Sequence, residues 1–368
     1  MSVPRFIRNR WTKIILLVGL PIILYLVIAE RLSWRPRTIR QGSRVYALAF
    51  SPDGKILASA GLDNAVRLWD VCTRTLLRTL KGRKEVTVQG VSYPHPAPVY
   101  AVDFSPDGNS IASAGSDGTK LWDVQTGKLL RALDGEYAVA FSTDGKVLTT
   151  FLLGDVQGGA PPVTYSVMAW DVQTGKLLRL TKVLVPGSRI SRKAAISPDG
   201  SSIIISGNTF KLIKRGIRGI ITEACLFDAR TGKLKTRLGQ SNSGDVVAAF
   251  SADSKMAATG QEEGTLQLWS MPGGKPLRQL QNANMVVQLS ARAWSSTSVD
   301  AVAFSPDGRL LAAGSNTNQT VRLWNMQTGQ LMRTLEATGK LRSLVFSPDG
   351  ATLATGSDDG TIKLWRIK

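Results

Sequence analysis

One histidine and two cysteines limit what this chain of 368 residues can do by nucleophilic or metal chemistry. His95 stands between Pro94 and Pro96 in an expected loop. Neither a His-dependent triad nor a His-based metal cluster can be assembled within the chain. Cys72 and Cys225 fall in different structural units, which argues against a disulfide. Asp358 and Asp359 lie where a hairpin turn is expected, and turn capping accounts for them. There is no Walker loop, and the glycines follow turn spacing rather than a phosphate-cradling pattern. No catalytic residue, metal ligand or cofactor is therefore assigned.

The residues that do suggest chemistry are cations mixed with bulky apolar side chains. Arg189, Arg192 and Lys193 precede the run 209–222, which contains Phe210, Lys211, Ile213, Lys214, Arg215, Ile217 and Arg218. These seven cations face one nearby acid, Glu223. Such a surface suits an acidic protein, an anionic glycan or phosphates, with Phe210, Ile213, Ile217 and Ile220 supplying contact area. The alternative is a protruding hairpin whose charges are simply solvated.

A repeated β unit positions these residues. The pattern Phe50-Ser-Pro-Asp-Gly54 recurs, with small variations, from Phe104, Phe141, Ile196, Phe250, Phe304 and Phe346, making seven units. Each is followed by a counterpart of Leu68-Trp-Asp70, the fourth with Phe227 in place of Trp. Pro-Asp-Gly supplies a fixed φ, a side-chain-capped turn and a residue tolerant of positive φ, which is hairpin chemistry. The segments between, such as Ile56-Leu-Ala-Ser and Ala65-Val-Arg-Leu-Trp, read as short strands. Four short antiparallel strands at this period form a propeller blade. The last unit stops three residues after Trp365 and lacks its outermost strand. Arg37-Thr38-Ile39 stands 13 residues before Phe50, as Arg333-Thr334-Leu335 stands 13 before Phe346, so residues 36–41 are expected to close the ring.

These paired motifs resemble the WD-repeat β-propeller family, in the manner of its bacterial members, over roughly residues 36–368. The resemblance implies a rigid interaction platform, usually without catalysis. Many family members carry a Gly-His pair before the first strand of a blade, whose His bonds a turn Asp and the blade's Trp. No unit here has that pair, although Asp63, Asp117 and Asp358 match the turn acid. Blade rigidity is thus expected to rest on apolar packing and turn hydrogen bonds.

The expected fold class is all-β: a seven-bladed propeller closed by an N-terminal clasp strand and preceded by one transmembrane helix. Residues 1–13 form a basic tail, 14–29 a membrane anchor, 30–35 a linker and 36–368 the propeller. Ile14 to Ala29 is uncharged and spans about 24 Å as a helix, against roughly 30 Å of hydrocarbon. Trp11 and Trp34 extend it to the interfaces, and Pro21 is tolerated in such a helix. A cleaved secretory signal ending near Ala29 is the competing reading. The flanking cations are nearly balanced, and the short basic tail tilts the expectation toward an extracytoplasmic propeller.

The formal net charge is +19, spread over tail and propeller without the long like-charge run of a nucleic-acid arm. With strands a to d counted outward from the axis, the a–b and c–d turns share one face of the ring, and the d–a and b–c loops share the other. All five insertions (81–98, 151–166, 185–192, 207–223 and 281–298) decorate that second face, where binding residues are commonly carried. The expected function is a membrane-anchored, non-catalytic scaffold or assembly factor that binds protein partners, with membrane lipid held by the helix and no nucleic acid or small-molecule substrate implied. The rival is an enzyme or small-ligand binder using the central channel.

Overall fold

Each unit is built around one recurring turn. The Ser51 hydroxyl donates to Asp53 Oδ1 (2.6 Å) and accepts the amide of Ile56 (2.9 Å), while Asp53 Oδ1 accepts the amide of Lys55 (3.0 Å). Gly54 occupies φ 71°, where a side chain would be strained. The same serine–aspartate lock recurs at Ser105, Ser142, Ser197, Ser251, Ser305 and Ser347. A second lock closes the outer hairpins, where Asp70 Oδ1 accepts the amide of Thr73 (2.6 Å), as Asp123, Asp171 and Asp228 do for Thr126, Thr174 and Thr231.

The computed structural model describes residues 36–81, 86–88, 91–93, 97–153, 163–185, 189–213, 217–241, 246–260, 265–280 and 299–367. Their strands form seven four-stranded antiparallel sheets. The first blade runs Val45–Phe50, Ile56–Gly61, Ala65–Asp70 and Leu76–Lys81 outward from the axis. The seventh comprises Leu341–Phe346, Thr352–Ser357 and Thr361–Arg366, with Arg37–Arg40 as its outermost strand.

That last pairing is the expected clasp, in the expected register. Arg37 pairs with Leu364, Thr38 with Lys363 and Ile39 with Ile362. In blade six Arg333 pairs with Leu323, Thr334 with Arg322 and Leu335 with Val321, so Arg37-Thr38-Ile39 reproduces Arg333-Thr334-Leu335. Ile39 is 4% exposed and packs on Val45, Ile362 and Leu364. The Gln41 amide continues the closure by donating to the Gly360 carbonyl (2.8 Å).

Apolar side chains pack between neighbouring blades rather than within one. The Trp of each unit faces the preceding blade: Trp69 lies with Ala354, Ile362 and Leu364 of blade seven, and Trp324 with Leu266, Leu268 and Leu280 of blade five. In five blades the indole N–H donates to a hydroxyl on the adjacent strand: Trp69 to Ser59 (2.8 Å), Trp122 to Ser113 (2.9 Å), Trp170 to Thr150 (2.9 Å), Trp269 to Thr259 (2.9 Å) and Trp365 to Thr355 (3.3 Å). In blade four both members of this pair are replaced: Phe227 stands for the Trp and Ile205 occupies the hydroxyl position, inside one apolar cluster. Substituting donor and acceptor together leaves no orphaned polar atom, and so costs little. Outer-strand arginines tie blades at the rim: Arg78 donates to the Gln125 and Thr126 carbonyls of the next blade, and Arg278 to that of Gln327.

Blades three and four are taller than the others. Val147–Leu153 and Val163–Asp171 extend one, while Ser202–Ile213 and Ile217–Asp228, each 12 residues, extend the other. Phe151 and Tyr165 stack at 4.8 Å in the core shared by these two blades, with Val183, Ile205 and Phe227. Two insertions read as loops in the sequence are thus partly continuous strand. The insertion at 81–98 includes a small hairpin, Val86–Val88 with Val91–Tyr93. Residues 281–298 lie outside the described residues, as do the expected tail, membrane anchor and linker, with Trp11, Ile14, Pro21, Ala29 and Trp34. Among the described residues no helix is long and apolar enough to cross a membrane.

Candidate functional site

The extended hairpin of blade four carries most of the residues expected to bind a partner. Its strands pair Phe210 with Ile220, Lys211 with Gly219, Leu212 with Arg218 and Ile213 with Ile217. Lys214 and Arg215 lie outside the described residues. Arg189 begins the innermost strand, Arg189–Ile196, which also contains Arg192 and Lys193. The described members of the predicted set, Arg189, Arg192, Lys193, Phe210, Lys211, Ile213, Ile217 and Arg218, thus lie on strands of one blade.

At the base of the ribbon, Glu223 is 3% exposed and pairs with Arg237 at 3.5 Å. The one acid near the cationic run is engaged within the blade, on the outer strand. Burial, and then the Glu223 charge, push the Cys225 thiol up to about 11, making it a packing residue rather than a nucleophile. Both cysteines are free thiols.

A second feature of the same face was not read from the sequence. Tyr46, Tyr100 and Tyr137 open the innermost strands of blades one to three and form a stack, with centroids 6.0 Å and then 5.5 Å apart. On the neighbouring blades seven and six, Arg342 makes a bidentate pair with Asp358 (2.8 and 2.7 Å), and the Asp300 carboxylate accepts the amide of Asn316 (2.8 Å). Arg342 holds the Asp358 carboxyl below the usual carboxylate range. These mouth residues stand four positions before the Phe of their own unit, a fixed offset that would have located them. Behind them the central channel, about 790 Å³, is lined mainly by Ala, Val and Leu of the innermost strands.

The turn acids add ion pairs to the apolar packing and turn hydrogen bonds expected to keep the blades rigid. Asp63 binds Arg67 (2.5 Å), Asp117 binds Lys120 (2.6 Å) and Asp358 binds Arg342 (2.7 Å). Cations from the blades' own strands take the place of the histidine. In blade one the relay is partly rebuilt, since the Ser59 hydroxyl that accepts from Trp69 donates in turn to the Gln41 side chain. Gln41 stands nine residues before Phe50; His95 has the same offset from Phe104 and lies outside the described residues.

The repeat family described as "WD domain, G-beta repeat" matches residues 34–70, 75–123, 287–325 and 329–366. These are essentially blades one, two, six and seven; the unmatched blades are five and the two tall ones, of which blade four carries Phe227. The WD repeat-containing protein WDS homolog of Arabidopsis thaliana is 26% identical over 77% of this chain and 55% of its own length. The transcriptional corepressor LEUNIG_HOMOLOG of the same plant is 23% identical over 89% of this chain and 36% of its own. The small ribosomal subunit protein RACK1 of Candida albicans is 34% identical over 26% of each. The chain thus spans about half or less of the length of these relatives. All three are eukaryotic, and the expected bacterial affiliation finds no support in them. Four of its units thus match WD repeats, and its described strands form a ring of seven four-stranded blades shut by Arg37–Arg40, the architecture of a β-propeller similar to the WD-repeat family.

Proposed function

We propose that the chain is a non-catalytic protein-interaction platform, held at a membrane by residues 14–29, whose partner docks on the face bearing the blade-four ribbon. The observation that carries this reading is the convergence on one face of the tall hairpin Ser202–Ile213/Ile217–Asp228, the insertion hairpin of blade one and the tyrosine-lined channel mouth. A channel lined mainly by small apolar residues suits a structural axis better than an enzyme centre, which weighs against the rival reading. A mixed cationic and apolar ribbon fits an acidic protein surface: the cations steer and orient, and Phe210, Ile213 and Ile217 supply the buried area. The clasp strand enters from the opposite, short-turn face. A helix preceding Glu30 would therefore hold the ring with its decorated face away from the bilayer, the linker reaching about 20 Å when extended.

Charge reversal of Lys211, Lys214, Arg215 and Arg218 tests the docking surface by affinity purification in mild detergent. Partner recovery is expected to fall steeply at low salt while the melting temperature stays within about 2 °C, since exposed ion pairs contribute roughly 0.2–1 kcal/mol each. Undiminished recovery from the folded variant returns the ribbon to a solvated hairpin. In the same preparation the protein should resist carbonate extraction and keep its own N-terminus. A soluble mature chain beginning at Glu30 would show cleavage instead of anchoring.

A further inference from the structure

Four of the seven blades place a cation two residues before the Trp of the third strand: Arg67, Lys120, Arg322 and Lys363. In three of them a turn acid answers it. Asp63 contacts Arg67 at 2.5 Å and Asp117 contacts Lys120 at 2.6 Å, while the Asp359 charge favours the protonated form of Lys363. Asp63 and Asp359 each stand six residues before their Trp; in blade six that position is Asn318. Among the described residues Arg322 makes no ion pair, and burial alone lowers its affinity for its proton.

The surroundings of Arg322 are unfilled in hydrogen-bonding terms as well. Its Nε, the Ser315 Oγ and the Thr320 Oγ1 are all buried without a hydrogen-bond partner. Ser315, 2% exposed, pairs directly with Thr320 across the second and third strands of blade six, Leu310–Ser315 and Thr320–Asn325. Direct strand partners sit about 5 Å apart at Cβ. Thr320 and Arg322, two residues apart on one strand, share a face. Opposite Arg322 stands Ala313, which offers the guanidinium no polar partner. Buried donors are ordinarily satisfied, so three orphans on one face around an unpaired guanidinium need an acceptor.

We propose that Arg322, Ser315 and Thr320 form an oxyanion-binding site on blade six, taking a phosphoryl or carboxylate group of a ligand in the place that Asp63 fills in blade one. The guanidinium contributes charge and in-plane N–H donors, and each hydroxyl rotates to donate one bond to the same group. The site is separate from the blade-four ribbon and does not rest on the reading of that ribbon.

The test is a titration of the full-length chain at constant ionic strength and pH 7.5, with inorganic phosphate in one arm and acetate in the other. It is followed by melting temperature and by calorimetry. Saturable binding of phosphate is expected; saturation by acetate as well would extend the site to carboxylates. Arg322→Gln should weaken binding about tenfold or more. Asn318→Asp supplies the missing acid internally, should fold at least as well as the parent chain, and should weaken binding to the same degree. No saturable effect of either anion, or equal binding by Asn318→Asp and the parent, overturns the proposal.

Discussion

Removing residues 1–41 is expected to cost this propeller most of its stability, whereas removing residues 1–35 leaves its melting temperature unchanged. The shorter deletion keeps the whole clasp. The longer one strips four strand pairs from Thr361–Arg366 and exposes the buried faces of Ile362 and Leu364. It also withdraws the Gln41 side chain from the Ser59–Trp69 relay. Truncating a buried side chain of the Ile39 kind costs roughly 2–4 kcal/mol. Adding the lost ladder bonds brings the total to about 5 kcal/mol, against a typical domain stability of about 5–15 kcal/mol. An open edge also invites pairing between chains, so the longer truncation should elute as dimers and larger species. Thermal melts and size-exclusion chromatography of the two truncations decide the matter; identical melting would show that Arg37–Arg40 does not hold the ring.

The second large effect belongs to Asp103. At the equivalent position, one residue before the Phe or Ile of the turn motif, the other blades carry Ala49, Ala140, Ala195, Ala249, Ala303 and Val345. Asp103 instead reaches to the next blade and accepts the Phe141 amide at 2.8 Å, and burial pushes its carboxyl up to about 7. A folded state that holds this proton more tightly than the unfolded chain is favoured below pH 4, and loses that advantage as pH rises through 7. The shift from 3.8 to about 7 bounds the effect at about 4 kcal/mol. Partial solvent contact of the side chain brings it to about 2 kcal/mol. Asp103→Asn keeps an acceptor for Phe141 and cannot ionise. It should match the parent chain below pH 4 and exceed it by about 2 kcal/mol at pH 8. The turn acids have the opposite slope: the Ser51 and Ser105 hydroxyls hold Asp53 and Asp107 below the usual range, so their contribution is lost only as pH falls below about 4. The window between pH 4 and 7 thus reports on Asp103. Parallel stability curves for parent and variant across it would show that the carboxyl is not perturbed.

Ring architecture and closure were legible in the chain because their signals are local. A Ser-Pro-Asp-Gly turn is self-contained, its serine, aspartate and glycine all bonding within six residues, and the clasp could be recognised by matching spacing at Arg37 and Arg333. The candidate site was legible in composition and less so in form. Residues 207–223 were marked out by their cations, but that they continue the blade as paired strand depends on the register set below them by Ile203 and Phe227. The tyrosine stack was missed although Tyr46, Tyr100 and Tyr137 share one offset from the Phe of their units, because they belong to different sheets and meet only across blade boundaries. Arg342 and Asp358 lie 16 residues apart, on a strand and in the turn that follows its neighbour, so their pairing likewise awaits the sheet. Arg67 and Asp63 are only four apart within one hairpin, and that pair was open to a closer reading.

The clasp also fixes how the ring carries mechanical load. Any pull transmitted through the residues that precede Pro36 enters the ring at Arg37, the strand end paired with Leu364. Strands of a propeller run roughly along the ring axis, so a pull along that axis loads the pairs of Arg37–Arg40 in parallel, as shear. A sideways pull, across the strands, instead breaks the pairs one at a time from Arg37 toward Arg40. Shear between strands resists force far better than such peeling, so a tether at this point makes the ring tough in one direction and fragile in the other. Since Arg37–Arg40 is also the strand that shuts the ring, a lateral force that unzips it reopens the whole circle at the boundary between the first and last blades.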